Sequence, residues 1–563
     1  EYIEPGDELH WTGPNFNWNY ACAECHSTNL KMGYDATTDT FDTTWSEISV
    51  GCEACHGPGS EHVRQADAKY FDEHHGLKLS LDDQGNAIWI MNVETGTAER
   101  NQPRSHPQRQ AEACGRCHSR RIGIVSEYEY GKALTATHLP AFLDDGLYFA
   151  DGGIQDEVYV YGSFLQSKMY QAGVTCSDCH NPHSGELKTG PDSNDVCAQC
   201  HLPSAFANTD HYGETSTTSQ CVDCHMQSRT YMGNDPRRDH FFRIPGETSH
   251  RSEAFAVGRS RSANPDLMKI ASDTSNAGIT AASALTRLSQ PYGADTLSVI
   301  LVSLDSPDPL LRIGALRALQ PLSPEVRPLD GARLLADNNR SVRLEAVLTY
   351  ADIADVLKIE QNRAFQSAAK EYRETYKYLG SRAESQTNLA NFEVSLGNTS
   401  AAIALYEKAL QRNPEFLPAY LNLADLVGRA GDNERALELL AEGVRHSPET
   451  AALHHSIGLA KVRNRQADEA MQSLRRAVDL DRNNPRYAYV LAIALNSQGQ
   501  GQHAVELLTE SRSRFPDDFD ISWALITMLL DVGQLNAARE IATDLQRDFP
   551  DDPNVANLMP SLR

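Results

Sequence analysis

Residues 176–225 read CSDCHNPHSGELKTGPDSNDVCAQCHLPSAFANTDHYGETSTTSQCVDCH, and this stretch contains the pattern Cys-x-x-Cys-His three times. The pattern occurs three more times upstream, and the six copies together use all 12 cysteines of the chain. The copies are CAECH (Cys22–His26), CEACH (Cys52–His56), CGRCH (Cys114–His118), CSDCH (Cys176–His180), CAQCH (Cys197–His201) and CVDCH (Cys221–His225). One kind of chemistry, repeated six times, therefore accounts for every cysteine.

Cys-x-x-Cys-His is the attachment pattern of c-type haem. Two sulfurs one helical turn apart can bond the two vinyl groups of one porphyrin, while the adjacent imidazole reaches the iron. The sequence therefore predicts six covalently bound haem c groups. The predicted covalent anchors are Cys22, Cys25, Cys52, Cys55, Cys114, Cys117, Cys176, Cys179, Cys197, Cys200, Cys221 and Cys224. The predicted proximal iron ligands are His26, His56, His118, His180, His201 and His225.

Other roles for paired cysteines fit this pattern less well. Structural zinc would combine two Cys-x-x-Cys pairs into a four-ligand site and would not need a histidine after each pair. A thioredoxin-like redox pair would occur once, at the start of a helix beside a strand. A disulfide framework predicts irregular spacings.

The sixth iron ligand must come from outside the motifs. Residues 1–250 contain ten further histidines: His10, His62, His74, His75, His106, His138, His183, His211, His240 and His250. Ten candidates are enough to make every iron six-coordinate within one chain. Met169, Met226 and Met232 are weaker alternatives, because methionine in such positions usually serves packing.

Composition excludes several other classes of protein. The chain has 563 residues, and 76 Asp and Glu against 51 Lys and Arg give a net charge of −25, which disfavours nucleic acid as a ligand. The longest uncharged apolar run, residues 521–530, is about half of what a bilayer span requires. Six haems in about 250 residues also predict a tightly packed array with sparse regular secondary structure.

The second half of the chain contains no cysteine and reads as helical. PLLRIGALRAL (309–319) and RSVRLEAVLTY (340–350) superimpose at an offset of 31 residues, with Arg312 over Arg343 and Ala315 over Ala346. These segments are typical of HEAT-like helical hairpins. Two copies leave a plain helical linker domain open as an alternative.

The last third has a clear 34-residue period. Alanines recur at Ala402, Ala436, Ala470, Ala504 and Ala538; glycines recur at Gly397, Gly431, Gly499 and Gly533. Arg465 occupies the missing glycine position of the third repeat. This period, with small residues where helices cross, is typical of tetratricopeptide repeats. The histidines of this part, His446, His454, His455 and His503, are interpreted as surface or packing residues.

These patterns predict a mainly α protein. A haem-packed amino-terminal domain with little regular secondary structure is followed by an α-solenoid of HEAT-like and then tetratricopeptide repeats. The predicted domains are a hexahaem cytochrome c domain (1–250), a HEAT-like helical domain (251–360) and a tetratricopeptide-repeat domain (361–563). We expect no transmembrane segment.

Several strings resemble a known family, the multihaem cytochromes c with C-terminal tetratricopeptide repeats. They are LHWTG, CAECHSTN, GCEACHGPGSEHV, DEVYVYGSFLQSKMYQAGVTCSDCHNPHS, CAQCHLP and CVDCHMQSRTYMGNDPRRDHFFRIP. The haem portion is similar to the superfamily of cytochrome c-554, hydroxylamine oxidoreductase and pentahaem nitrite reductase. The resemblance implies distal iron ligands at His10, His62, His138, His183, His211 and His240. His74, His75, His106 and His250 then remain surface or hydrogen-bonding residues.

Two departures from the family pattern bear on function. Related chains often have further haem motifs before LHWTG and after RDHFFRIP, so this array is either shorter or cut at its start. The nitrite reductases use Cys-x-x-Cys-Lys at the catalytic haem, whereas all six motifs here end in histidine. This difference counts against a direct transfer of nitrite reductase activity.

Three functional hypotheses follow. The preferred one is an electron-transfer protein, mainly bis-histidine ligated, whose repeats dock a redox partner or further copies, including a conducting filament. The second is a multihaem oxidoreductase that acts on a small nitrogen or sulfur compound at a five-coordinate haem. The third is an interaction platform whose function lies in the repeats. Because haem c is attached outside the energy-transducing membrane, we expect a periplasmic or extracellular protein whose signal peptide was removed before Glu1.

Overall fold

The structure is a computed structural model of the chain. It describes residues 4, 10, 16–104, 108–206, 211, 220–231, 235–245, 250–257, 261–549 and 552–562. The described residues are mainly helical, which confirms the predicted fold class. They form two compact units: the first ends at Leu379 and the second begins at Gly380, with residues 261 and 262 grouped with the second.

The cysteine-rich part contains short helices and short two-stranded sheets. Its helices are Trp18–Ala21, Ala23–His26, Cys52–His56, Ser60–Asp67, Arg109–His118, Tyr161–Leu165, Lys168–Ala172, Cys176–Cys179, Ser193–Cys197, Pro203–Phe206, Cys221–His225 and His250–Val257, with a 3-10 turn at Leu134–Ala136. The antiparallel strand pairs are Tyr34–Asp35 with Thr40–Phe41, Trp89–Asn92 with Thr97–Arg100, Arg121–Gly123 with His138–Pro140, His180–Asn181 with Glu186–Leu187, and Ser228–Tyr231 with Asp235–Arg238.

Residues 134–170 carry most of the buried apolar side chains of this part. Leu134, Phe142, Leu143 and Tyr161 are each at most 6% exposed. This stretch is tied to the following helices, since the Leu143 N–H donates to Ser283 Oγ at 2.9 Å. The cysteine-rich part and these helices therefore belong to one compact unit.

A set of helices that pack against one another completes the first unit. They are Asn264–Ser272, Gly278–Arg287, Ala294–Ser303, Pro309–Leu319, Arg340–Thr349 and Ile359–Tyr378, with 3-10 segments at Arg261–Ala263, Leu329–Ala336 and Ala351–Val356. The two superimposable sequence segments form equivalent helices, with Ala315 and Ala346 both fully buried. Asp308 and Asn339 cap these two helices at equivalent positions by accepting from backbone N–H groups.

The second unit consists of helix pairs in the predicted period. The pairs are Ala383–Ser395 with Thr399–Arg412, Leu417–Arg429 with Asn433–His446, Ala451–Arg463 with Ala467–Leu480, Pro485–Ser497 with Gly501–Arg514, and Phe519–Asp531 with Leu535–Asp548, followed by Pro553–Ser561. The five periodic alanines are at most 2% exposed, as expected for small residues at helix crossings. Gly397, Gly431, Gly499 and Gly533 have positive φ angles in the turns within the pairs.

The predicted boundary at residue 360 falls at the start of the helix Ile359–Tyr378. That helix belongs to the first unit, where Thr375 Oγ1 donates to the Ile124 carbonyl at 3.0 Å. The division into three domains stays a prediction. Among the described residues, no helix is both long and apolar enough to span a bilayer.

Candidate functional site

Each Cys-x-x-Cys-His motif lies on a short helix or at the end of one. Local capping explains where two of these helices begin. In CSDCH, Asp178 Oδ2 accepts from the Thr175 N–H at 2.7 Å, which closes a capping box. In CAQCH, Asp192 accepts from the Asn194 N–H at 2.9 Å. All twelve cysteines lie in the described ranges, and none forms a disulfide.

Three motif histidines each face a second histidine that lies outside the same motif. The ring centres of His56 and His183 are 6.4 Å apart, with 25° between the ring planes. Those of His180 and His240 are 6.3 Å apart at 26°. Those of His225 and His211 are 5.9 Å apart at 17°. In every pair, one ring follows a Cys-x-x-Cys and the other is a predicted distal ligand.

These separations match two imidazoles that bind one metal ion from opposite sides. An imidazole nitrogen lies about 2.0 Å from the metal it binds, and the ring centre lies about 1.1 Å behind that nitrogen. Two axial imidazoles therefore place their ring centres about 6 Å apart. Rings in direct contact would lie closer, at about 4 Å. The ring-centre separations of the three pairs are thus those expected for two imidazoles that share one iron.

Backbone carbonyls fix the orientation of four of the imidazoles. The Nδ1 atoms of His56, His62, His225 and His240 lie 3.1, 2.7, 2.6 and 3.1 Å from the carbonyls of Leu79, His75, Arg243 and Arg238. An Nδ1–H that donates to a carbonyl leaves the Nε2 lone pair free, and metal-ligating histidines are held in this way. His62 thus makes a hydrogen bond of the kind that orients metal-ligating histidines, and its role as a ligand stays a prediction.

The remaining motif histidines have less defined partners. His201 Nδ1 lies 3.3 Å from Thr97 Oγ1. Burial lowers the pKa of His118, His201 and His240, which favours the neutral imidazole that binds iron. His26 lies at the end of its motif helix. His10 is half-buried, and both of its neighbours in the chain lie outside the described residues.

His138 differs from the other predicted distal ligands. It is 3% exposed, its Nδ1 lies 2.9 Å from Thr137 Oγ1, and its Nε2 lies 2.6 Å from Glu24 Oε1. Both ring nitrogens are therefore engaged by groups other than a motif imidazole. The structure places His138 in a hydrogen-bonded cluster with a residue of the first motif.

Two arginines complete this cluster. Arg121 Nη2 lies 2.9 Å from Glu24 Oε2, and Arg116 Nε lies 3.7 Å from Glu24 Oε1. Burial raises the pKa of Glu24, but His138, Arg121 and Arg116 more than offset it and hold the pKa below its ordinary value. Sequence reasoning missed this cluster, because Glu24 and Arg116 are variable positions of the motif pattern and carry no signal of their own.

Apolar side chains next to the motifs are unusually exposed. Val63 and Phe71, which flank His62, are 58% and 42% exposed. Further exposed apolar side chains before residue 245 are Trp18, Trp45, Ile48, Val50, Tyr70, Ile88, Ile90, Val93, Phe149 and Ile244. A porphyrin face needs apolar surroundings of this kind, so the residues present fit a bound haem.

Protein-only metal sites are a separate possibility. Within the described ranges, no group of three or more His, Cys, Asp or Glu side chains converges to hold a metal ion. Haem iron needs only two protein ligands, because the porphyrin supplies four nitrogens. The histidine pairs satisfy that smaller requirement.

Histidines assigned to other roles lie apart from these pairs. His74 Nε2 lies 3.3 Å from Glu73 Oε1 at the surface, and the His75 carbonyl accepts from His62. His106 and Met232 lie outside the described residues, as does the His250 side chain. In the second unit, the ring centres of His446 and Tyr420 are 6.2 Å apart, and those of His455 and Tyr487 are 4.9 Å apart.

Family models of the tetratricopeptide repeat match residues 357–415, 393–460, 451–484 and 495–562. Similar solved structures include YrrB, a TPR protein with an unusual peptide-binding site (19% identity, 34% of this chain and 98% of that chain, TM-score 0.27), and TTC0263, a TPR protein of Thermus thermophilus (21%, 32% and 98%, 0.27). The multiheme cytochrome MtrA of Shewanella baltica (strain OS185) is 23% identical over 190 residues, which are 32% of this chain. The chain spans about half (52%) of the length of that curated relative. The carboxyl-terminal helices are therefore tetratricopeptide repeats, and the chain has a distant similarity to a multihaem cytochrome.

Proposed function

We propose that this chain is a c-type cytochrome with six haems that transfers electrons and uses its repeats to dock a redox partner or further copies of itself. The observation that carries the proposal is the set of histidine pairs, His56 with His183, His180 with His240 and His225 with His211, at 5.9–6.4 Å. Haem c, when bound, supplies one-electron exchange between Fe(III) and Fe(II). Two imidazoles per iron leave no position for a substrate, which favours electron transfer.

The chain's own residues have distinct roles in this proposal. The cysteines would anchor each porphyrin, and the three histidine pairs would supply two imidazole ligands to each of three irons. The carbonyls of Leu79, Arg243 and Arg238 keep the ligating nitrogens directed at the iron. This fixed geometry keeps the ligands in place when the charge of the iron changes.

Partner docking and location are parts of the same proposal. Tetratricopeptide repeats commonly hold proteins in their concave groove. The net charge of −25 would draw basic partner surfaces toward this chain. Because covalent haem attachment takes place on exported chains, the proposed location is the periplasm or the cell exterior.

Spectroscopy of the purified protein tests haem content and ligation together. We expect a pyridine haemochrome assay to give six haems per chain, low-spin signals in the oxidised protein and no carbon monoxide binding after reduction. A denatured protein with the mass of the bare polypeptide would contradict the proposal at its root.

A single substitution tests the ligand pairs. His240→Ala should open one iron and produce a high-spin signal from about one haem in six, because His180 would keep only one side of that iron. The matched control is His74→Ala, a surface histidine beside Glu73, which should leave the spectrum unchanged. An unchanged spectrum in His240→Ala would show that this residue is not a ligand.

The position of His138 favours a second candidate function. Because its Nε2 lies 2.6 Å from Glu24 Oε1, one iron would lack this ligand and could bind a small nitrogen or sulfur compound. In that case the native reduced protein binds carbon monoxide at one haem per chain, and His138→Gln leaves the spin state unchanged. If His138 ligates iron, the same substitution creates a new high-spin haem.

Truncation tests the docking role. A chain that ends after Leu379 keeps the helix Ile359–Tyr378 with the unit to which it belongs. We expect its haem spectra to match those of the full chain, while capture of the redox partner or self-association is lost. Unimpaired capture by the truncated chain would remove the docking role from the repeats.

A further inference from the structure

The order of the motifs along the chain does not give their order in space. Hydrogen bonds and ring contacts between the motif-bearing segments show which motifs are neighbours in space. Each haem would be anchored to its own segment, so these contacts also give the neighbours of each haem site. The segment 176–184, which carries the fourth motif and the histidine that follows it, makes contacts toward four of the other motifs.

The fourth motif is bonded to the helix of the third. The Ser177 N–H donates to Gln110 Oε1 at 2.7 Å, and Gln110 Nε2 donates to Ser177 Oγ at 2.9 Å. Gln110 lies one turn before Cys114 on the helix Arg109–His118. This two-bond clamp fixes the third and fourth attachment sites against each other.

The same segment reaches the second and fifth motifs. His183 faces His56 of the second motif at 6.4 Å between ring centres. The Asp178 carbonyl accepts from Gln199 Nε2 of the fifth motif at 3.2 Å. Three residues apart in sequence, His180 and His183 therefore serve two different iron sites.

Contact with the sixth motif runs through the partner of His180. His240 faces His180 at 6.3 Å and directly follows the strand Asp235–Arg238 and Asp239. Arg238 of that strand donates to the Val222 carbonyl at 3.0 Å and to Asp223 Oδ1 at 3.0 Å, both within the sixth motif. The distal side of the fourth site thus rests on the sixth motif.

The first motif is attached differently. Arg121 Nη2, just beyond the third motif, lies 3.3 Å from Cys25 Sγ, and Cys25 Sγ lies 3.9 Å from the Cys117 carbonyl. The first site therefore adjoins the third. The sixth site is bonded to the fifth, since the Cys221 N–H donates to Asn194 Oδ1 at 2.8 Å.

We propose that the fourth site is the junction of the array, adjacent to the second, third, fifth and sixth sites, and that the first site joins it through the third. This inference rests on the proposed function, because it assumes that each motif holds a haem. Each exchange moves one electron from a reduced iron site to an oxidised neighbour and needs no proton or further reactant. Direct contacts also join the third site to the second, since Arg116 Nη1 donates to the Ala54 carbonyl at 3.3 Å, and the fifth site to the sixth. Electrons that move between the first three sites and the last two then pass through the fourth site.

Two matched variants of the full haem-loaded chain test the junction. His240→Met changes the distal ligand of the fourth site, and His211→Met makes the same change at the sixth. Methionine raises the reduction potential of a haem relative to histidine, so each variant has one site that is reduced first and loses its spin signal. We expect this reduction to change the low-spin electron paramagnetic resonance signals of the remaining oxidised haems. More of these signals should change in His240→Met than in His211→Met.

Kinetics provide the second readout. A junction with a raised potential traps electrons, and each increase of about 59 mV slows escape about tenfold. After a pulse of a one-electron reductant, redistribution of electrons among the haems should be at least about tenfold slower in His240→Met. It should change little in His211→Met. Equal effects of the two variants would overturn the junction.

Failure of the junction and failure of the proposed function are distinguishable. Fewer than six haems in the unaltered chain would contradict the proposed function, whereas six low-spin haems with equal variant effects would contradict only the junction. If the His240→Met protein does not bind haem at the fourth site, a second experiment takes its place. Anomalous diffraction from the native protein then locates the irons. The fourth iron should then have more near neighbours than the sixth, and the opposite order would overturn the inference.

Discussion

The two ends of the chain obtain their cohesion in different ways. Among the described residues before 130, the buried apolar side chains are Ala23, Met32, Leu79, Ala98, Ala111 and Ile124. The repeats instead contain two continuous apolar clusters, one around Leu423 and Leu440 and one around Leu508 and Leu525. The repeats supply their own core, whereas the motif region leaves apolar side chains such as Val63 and Phe71 exposed beside its histidines.

This difference predicts which part depends on haem. When the chain is produced without c-type haem attachment, residues 16–130 should lack stable structure, because the few buried apolar groups cannot offset the entropy of ordering the chain. Residues 380–563 should remain folded. Hydrogen exchange resolved along the sequence, compared between haem-loaded and haem-free chains, measures both effects.

The control for this prediction lies within the same molecule. Exchange in the helices Gly501–Arg514 and Phe519–Asp531 should be equal in the two preparations, since they belong to the second unit. Equal protection of residues 16–130 with and without haem would contradict the comparison.

The repeats should respond to loss of their own apolar contacts. Leu508→Ala removes a fully buried side chain, and we expect the free energy of unfolding of the repeats to fall by about 2–5 kcal/mol. Leu535→Ala, at a position 41% exposed, is the control and should change it by about 0.5 kcal/mol or less. Chemical denaturation followed by circular dichroism measures both.

Haem spectra make this test specific. The absorbance of the haem-loaded Leu508→Ala protein should be unchanged at denaturant concentrations that unfold the repeats. A simultaneous loss of native haem absorbance would show that the two units do not unfold separately.

The sequence predicted the repeats well because their information is local and periodic. The alanines at crossings and the glycines at turns recur every 34 residues, so the pattern alone locates the helix pairs. The short helices of the Cys-x-x-Cys-His motifs can likewise be predicted from local sequence. The partners of the motif histidines cannot be predicted from local sequence, because the approach of His183, His211 and His240 depends on how segments outside the motifs pack. No motif pattern could assign His240 to His180, or place His138 against Glu24.

The buried carboxyl of Glu112 gives the first unit a pH dependence. Its side chain accepts from the Leu134 N–H at 2.5 Å and from the Tyr161 hydroxyl at 3.1 Å. Burial raises the pKa of Glu112 to about 7 from 4.5, with the charges of Asp308 and Asp83 adding to the rise. Between pH 4.5 and about 7, the folded protein therefore keeps a proton on Glu112 that the unfolded chain has released.

The sign of the effect follows from proton linkage. A raised carboxyl pKa contributes stability that is fully present below pH 4.5 and is lost as the pH rises to about 7. The loss is about 3 kcal/mol. Glu112→Gln stays neutral, so its free energy of unfolding should exceed that of the native chain at pH 8, and the difference should shrink toward pH 5. Glu186→Gln, at an exposed position, should show no such trend.

The smallest expected effect concerns one turn of the repeats. Arg465 has φ +59° where the neighbouring repeats have glycine, as at Gly431 with φ +96°. A side chain in this left-handed region costs about 1–2 kcal/mol, and the greater freedom of glycine in the unfolded chain offsets part of that. Arg465→Gly should therefore stabilise the repeats by about 1 kcal/mol.

The reverse substitution and a neighbour make this test selective. Gly431→Ala should destabilise the repeats by about 1 kcal/mol, and the cause is the backbone alone, since an added Cβ would meet no atom within 4 Å. Asn464→Gly is the control: this residue has φ −81°, so glycine relieves no strain there and should lower stability slightly. If Arg465→Gly and Asn464→Gly changed the unfolding midpoint in the same direction, backbone strain at Arg465 would not be what distinguishes the third repeat from the others.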